Sequence, residues 1–212
     1  AKLVANLLTT AGAGRVLAID LHAEQVQGFF DIPVDNLTAE PVIADYFRKL
    51  NLPDQVLVSP DIGNVKKTNM YAQDINADIA VIDKRRINGR ETEAVRIIGD
   101  VKNKNVLMFD DMITTAGTIS AAARLVRQFG AKSVRVGVTH GVFVDLAFER
   151  LQEARLDEVV VTDTLPLGDK LTRLQNVTVL SIADLLGEAI HRIHENKSVS
   201  YTHLRAHETK AN

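Results

Sequence analysis

The sequence predicts an α/β fold, a mostly parallel sheet flanked by helices. Two observations carry this. Its short apolar runs are continuous rather than alternating, as in strands buried on both faces. Between them lie segments with apolar residues at helical spacing, so strand and helix follow each other along the chain.

Each element has its own signal. Leu3, Val4, Leu7, Leu8 and Ala11 recur at helical spacing, so the chain opens in what reads as mid-helix. Arg15 to Asp20 ("RVLAID") follows a glycine break and reads as a strand. Ala39 to Leu50 reads as a helix with Pro41 near its start, where the missing N–H costs nothing. Gln55 to Asp61 ("QVLVSPD") is a short strand, and "TNMYAQDI" a helix. Ala77 to Arg86 ("ADIAVIDKRR") is a strand running into a basic loop. "NVLMFDD" is a strand, and Ile119 to Phe129 a helix with Ile119, Ala122, Val126 and Phe129 on one face. Gly130 stops that helix. "SVRVGVTHG" is a strand, Leu146 to Ala154 a helix, and "DEVVVTDT" a strand. "VTVLSIADLLGEAIHRIHE" supplies a last strand and helix, with His191 and His194 on its surface near the positive-favouring C-terminus. Tyr201 to Asn212 loses apolar periodicity and reads as an artefactual or disordered tail; a metal-binding role for His203 and His207 is the other reading.

Composition narrows the function. The 212 residues suffice for one to two domains. A net charge of −2 gives no global electrostatic case for nucleic acid or an anionic membrane. No apolar run reaches the about 18 residues of a membrane helix. The absence of Cys excludes disulfides, thiolate metal sites and a cysteine nucleophile, and fits a reducing, cytoplasmic setting.

Ligands of open parallel sheets bind beyond the carboxyl ends of the strands. The polar residues there are Asp20 and His22, Asp61, Lys84 to Arg86, Asp110 to Thr118, Thr139 to Gly141, and Thr162 to Thr164. The stretch after "VLMF" is the richest. Thr114, Thr115, Ala116, Gly117 and Thr118 join a strand to a helix, whose unpaired N–H groups and dipole favour an anion. Threonine hydroxyls add donors, and Gly117 admits close backbone approach. Asp110 and Asp111 repel a phosphate but suit a neighbouring diol or a cation, because ionised carboxylates only accept hydrogen bonds. Phosphate and diol side by side describe a sugar phosphate. The bland alternative is a capped helix after a polar loop, with both acids solvated. His140 reads as a residue bonding a turn beside Gly141.

"FDDMITTAGT" resembles the phosphoribosyl-pyrophosphate loop of type I phosphoribosyltransferases and their relatives. "RVLAIDLHAEQVQGFFDIPVDNL", "VLVSPDIGNV", "AVIDKRR", "IIGDV", "GVTHGVF" and "DEVVVTDTLPL" are together similar to the ribose-phosphate pyrophosphokinase family, over Ala1 to about Ser200 in one register. The resemblance implies a type I phosphoribosyltransferase-like domain at 34–180, a remnant of a second such domain at 1–33, a C-terminal helix at 181–200 and the tail at 201–212. It implies transfer of the β,γ-diphosphoryl group of ATP to the C1 hydroxyl of ribose 5-phosphate, giving phosphoribosyl pyrophosphate and AMP. It assigns His22 and Asp61 to a divalent cation, Mg2+, and Lys84 and Arg86 to a flexible catalytic loop. It assigns Asp110, Asp111, Thr114, Thr115, Ala116, Gly117 and Thr118 to ribose 5-phosphate. A homo-oligomer, a hexamer built from dimers, is also implied.

The residue types agree with that chemistry. Phosphoryl-type transfer needs positioning and cations rather than a covalent nucleophile. Arg86 stays protonated at neutral pH and so can clamp but not act as a base. Three departures stand out. Thr114 occupies a usual Asp position, Asn64, Lys66 and Lys67 replace the usual residues after "SPD", and Ile87 replaces a Pro. The family's N-terminal ATP-binding segments do not precede Ala1, so the chain alone is expected to have little synthetase activity. A type I phosphoribosyltransferase and a non-catalytic regulatory paralogue are the competing readings. "DLHA" and "DKRR" fit only the synthetase, and retained Lys84, Arg86, Asp110 and Thr118 argue against a paralogue.

Overall fold

Continuous apolar runs make two-faced strands, and the computed structural model of the chain shows both faces covered. It describes residues 1–87 and 92–199, with 84–87 and 92–95 described by backbone alone. The tail expected from Tyr201 lies outside the described residues. So do residues 88–91 of the basic run.

The elements follow in order as α1 (Lys2–Thr10), β1 (Val16–Ile19), a 3-10 turn (Glu24–Phe29), β2 (Val34–Leu37), α2 (Glu40–Lys49), β3 (Gln55–Ser59), α3 (Val65–Ile75), β4 (Asp78–Ile87) and β5 (Thr92–Ile98). Then come β6 (Asn105–Ile113), α4 (Gly117–Gln128), β7 (Ser133–Gly141), α5 (Asp145–Ala154), β8 (Glu158–Thr162), α6 (Lys170–Arg173), β9 (Val177–Leu180) and α7 (Ala183–His194). Contacts divide the chain into two units. One comprises residues 1–42 with the segment from Ser181 onward; the other is Ile43–Leu180. The grouping of the last helix with the first residues is not visible in chain order.

In the first unit β1 and β2 pair in parallel, Val16 opposite Val34 and Ile19 opposite Leu37. The β2 strand was not anticipated, because half of "VDNL" is polar and the run is only four residues. Asp20, at φ 43°, closes this pair: its N–H donates to Leu37 O at 2.8 Å and its Oδ2 accepts the Ala39 N–H at 2.9 Å. Helix α1 forms where its periodicity put it, but the apolar stripe does not mark its buried side. Ala5 is buried, while Leu3, Val4 and Leu7 are 71%, 58% and 61% exposed.

The second unit is a seven-stranded sheet in the order β5-β4-β3-β6-β7-β8-β9, parallel throughout except for β5. Period-two alternation splits its strands between two cores. Val56, Val58, Val106, Met108, Val134, Val136, Val159 and Val161 face α4 and α5 through Ile119, Ala122, Val126, Ala147, Phe148 and Leu151. Leu57, Leu107, Phe109 and Val160 face α2 and α3 through Ile43, Phe47, Tyr71 and Ile75. Phe109 stacks on Tyr71 at 4.1 Å and meets Phe47 edge-on at 5.3 Å. Helix α2 approaches β7 closely only because Gly137 lacks a side chain. A Cβ there would lie 2.5 Å from Ile43 Cγ2 and 2.8 Å from Phe47 Cε2.

At the amino ends of these strands, polar side chains close the sheet. Tyr46 Oη donates to Glu158 Oε1 at 2.5 Å, Thr178 Oγ1 donates to the same oxygen at 2.7 Å, and Arg135 approaches Oε2 at 3.5 Å. Burial first, and then the bond to Glu158, raise the Tyr46 phenol above its ordinary range. Among the described residues no helix is long and apolar enough to cross a membrane.

Candidate active site

Strand order decides where a ligand can sit. The chain leaves β3 toward β4 and β5 on one side, then returns to place β6 on the other. The carboxyl ends of β3 and β6 therefore flank the point where the winding reverses, which opens a crevice. Asp61 follows β3, and Asp110 through Thr118 span the end of β6 and the start of α4.

The two acids lie inside the strand, not at its end. β6 continues to Ile113, paired with β7 through Asp110 opposite Val138 and Ile113 opposite Gly141. Asp110 is half-buried and Asp111 buried. Asp110 Oδ1 accepts the Asp111 N–H at 2.9 Å. Burial, the hydrogen bond shared with the Asp111 side chain and the Asp111 charge push the Asp110 carboxyl up to about 6, against the pull of Lys67. Lys67 on α3 is thus a cation near the acids, one that the sequence had marked only as a departure.

Beyond β6 the loop turns into α4. Its left-handed residue is Ala116, at φ 58°. At Gly117 a Cβ would sit 3.2 Å from Arg150 Nη1. Thr114, Thr115 and Thr118 are exposed, and no side chain caps the first turn of α4. The loop carbonyls are engaged. Phe143 N–H donates to Ile113 O and Val144 N–H to Thr114 O, both at 3.0 Å. Arg150 Nη1 donates to Thr115 O at 3.1 Å, and Ser120 N–H to Ala116 O at 2.9 Å. Uncapped amides and three hydroxyls, donors suited to an anion, thus stand near a pair of carboxylates, acceptors suited to hydroxyl groups or a cation. Arg150, 35 residues along the chain from Thr115, had no local signal.

The remaining expected residues divide. Asp61 is exposed; its Oδ1 accepts the Asn64 N–H at 2.9 Å. His22 is exposed in the first unit, whereas Asp61 belongs to the second. No group of three or more His, Cys, Asp or Glu able to hold a metal occurs among the described residues. Lys84 and Arg86 stand on β4 and not on a loop after it. Their backbone pairs antiparallel with β5, Lys84 opposite Val95 and Arg86 opposite Glu93. β3 last pairs with β4 at Ser59 opposite Val81. Lys84 is therefore about 10 Å further along, at roughly 3.3 Å per residue, at the same end of the sheet as the crevice. The side chains of both lie outside the described residues. The threonines at the carboxyl ends of β7 and β8 bond one another: Thr162 Oγ1 and Thr164 Oγ1 donate to Thr139 O at 2.6 and 3.0 Å. His140 Nδ1 lies 2.9 Å from Thr164 Oγ1, and its backbone carbonyl accepts the Val142 N–H at 3.1 Å.

Residues 85–204 match the family model described as phosphoribosyl synthetase-associated domain. The chain belongs to this family. It is 52% identical over 204 residues to the ribose-phosphate pyrophosphokinase of Rhodopirellula baltica, covering 94% of this chain and 64% of that protein. It is 50% identical over 201 residues to the ribose-phosphate pyrophosphokinase of a Nostoc species, covering 94% of this chain and 61% of the relative. The chain thus spans under two thirds of the length of these relatives. Among solved structures, phosphoribosylpyrophosphate synthetase from Mycobacterium smegmatis superposes with a TM-score of 0.82 at 44% identity, over 92% of this chain and 63% of that one. The α/β sheet with helices on both faces is therefore the phosphoribosyl synthetase fold, with the Asp110–Thr118 stretch at its switch point.

Proposed function

We propose that this chain carries the ribose 5-phosphate site of a ribose-phosphate pyrophosphokinase. In the whole enzyme the C1 hydroxyl of ribose 5-phosphate attacks the β-phosphorus of ATP, and AMP leaves. The observation that carries the reading is the switch-point cradle: engaged loop carbonyls, the uncapped start of α4 and the Asp110–Asp111 pair. The names of the relatives agree with it.

In this reading the amides and hydroxyls of Thr114 to Thr118 hold the 5-phosphate. Asp110 and Asp111 accept hydrogen bonds from the ribose hydroxyls and so fix the sugar for in-line attack. Lys84 and Arg86, on the β4–β5 hairpin, supply positive charge to the transferring phosphates and exclude water from them. The ATP site and the domain division at residue 33 belong to the same proposal.

A magnesium ion keeps several waters and is bound through one or two carboxylates and the substrate phosphates, so the exposed Asp61 carboxylate fits it without a protein cage. Asp61 would hold it, and when bound it neutralises charge on the phosphate oxygens. We further take the assembly to be a homo-oligomer, with the open apolar face of α1 covered by a second copy.

Calorimetric titration of ribose 5-phosphate tests the reading. Saturable binding is expected, tighter at pH 7.5 than at pH 5, because Asp110 ionises near 6 and only the carboxylate is a pure acceptor. Asp110→Asn should weaken binding by about tenfold or more, the worth of a charged hydrogen bond. Equal affinity in wild type and variant would discard the sugar-phosphate assignment.

A further inference from the structure

Three successive carbonyls lead from β6 into the loop, and all three are tied to one segment. Phe143 N–H holds Ile113 O, Val144 N–H holds Thr114 O, and Arg150 Nη1 holds Thr115 O. A planar trans peptide carries its N–H opposite its C=O. Fixing those carbonyls therefore fixes the directions of the Thr114, Thr115 and Ala116 N–H groups, each aimed away from its anchor. Of the three anchors two are backbone groups. Arg150 is the side chain.

We propose that Arg150 is a positioning residue for the anion loop, a role that rests on the sugar-phosphate reading of the site. It keeps the negative end of the Thr115 peptide out of the cradle and the Ala116 amide turned toward the anion. Three further observations support this. Ala116 sits in the left-handed region at φ 58°, a conformation that costs a non-glycine residue on the order of 1 kcal/mol and needs an external hold. Among the described residues no carboxylate pairs with Arg150, so its charge stands unneutralised beside the loop. Gly117 leaves the space that the guanidinium uses, with a hypothetical Cβ only 3.2 Å from Nη1.

The holding segment is itself held. Phe143 is buried at φ 41°, and its ring fills the space beside Gly141, where a Cβ would lie 2.5 Å from Phe143 Cε2. Lys170 Nζ donates to Val142 O at 2.6 Å. Ser120 Oγ, from α4, donates to the Arg150 carbonyl at 3.0 Å and so fixes the backbone from which the guanidinium reaches. That last bond survives any change of the Arg150 side chain.

The test compares wild type, Arg150→Ala and Arg150→Lys as full chains. Each is titrated with ribose 5-phosphate and, separately, with inorganic phosphate, alongside a thermal melt and the backbone amide NMR spectrum. Wild type should bind both ligands. Arg150→Ala should bind both about tenfold more weakly at an unchanged melting temperature, as expected for one lost charged hydrogen bond. Its Ala116 amide resonance should no longer shift on adding phosphate, a readout that general loosening of the fold would not single out. Arg150→Lys should fall between the two. Wild-type affinity in Arg150→Ala overturns the inference and leaves the site reading intact. Failure of wild type to bind either ligand overturns both. Should Arg150→Ala not fold, Arg150→Lys decides: reduced affinity supports the role, and wild-type affinity overturns it.

Discussion

Asp110 carries a cost in the folded chain. Its carboxyl sits near 6, above its ordinary value, because burial and Asp111 disfavour the charged form. The folded state therefore binds more protons than the unfolded one between about 4 and about 6. Stability falls as pH rises through that window and the full penalty is present at pH 7. Asp110→Asn should thus stabilise the chain at pH 7, by an amount on the order of 2 kcal/mol, and change little at pH 4. Urea denaturation at both pH values checks this. A variant less stable than wild type at pH 7 would mean that Lys67 compensates the charge fully. Together with the binding test, the same substitution should gain stability and lose ligand, the usual trade at a working site.

At the scale of elements, α2 and β7 depend on Gly137. The space for a Cβ is already occupied by Ile43 and Phe47. Neither can retreat easily, since both are fully buried, and Phe47 also meets Phe109 edge-on. Gly137→Ala should cost about 1–3 kcal/mol by overpacking, against the modest gain a strand makes from losing glycine. In a chain of this size that lowers the melting temperature by several degrees. An unchanged or raised melting temperature would show that α2 shifts freely. The β4–β5 hairpin makes a second point at this scale. "DKRRINGRE" looks like a solvated loop because charges crowd it, yet its first residues extend β4 and find partners in β5. Backbone pairing with a strand of opposite direction outweighed a local composition typical of loops.

The whole chain leaves apolar surface uncovered. Leu3, Val4, Leu7 and Leu8 line one open side of α1. An amphipathic helix with its apolar stripe outward is a contact surface by default. The proposed homo-oligomer predicts a light-scattering mass above the 23.3 kDa of one chain, reduced by Leu3→Asp with Leu7→Asp. A monomer at micromolar concentration would remove that face from the proposal.

Sequence alone determined the layered class and the order of most strands and helices, with β2, β5 and α6 unread. Both follow from local rules: apolar continuity for buried strands, period 3.6 for helices, and a glycine at a helix end. It also marked the candidate ligand stretch, since Asp110 to Thr118 joins a strand to a helix within nine consecutive residues. Tertiary structure decided everything that depends on residues meeting across the chain. It set the place where β3 and β6 reverse the winding, which made separate strand ends neighbours in the sheet. It placed a left-handed residue at Ala116, in a loop whose carbonyls are held from outside by Phe143, Val144 and Arg150. It joined Thr139, Thr162 and Thr164 across the strand ends by hydrogen bonds. It grouped the last helix with the first residues. Periodicity reports which side of a segment is apolar, but only packing decides what that side meets, and α1 is the case where the two part.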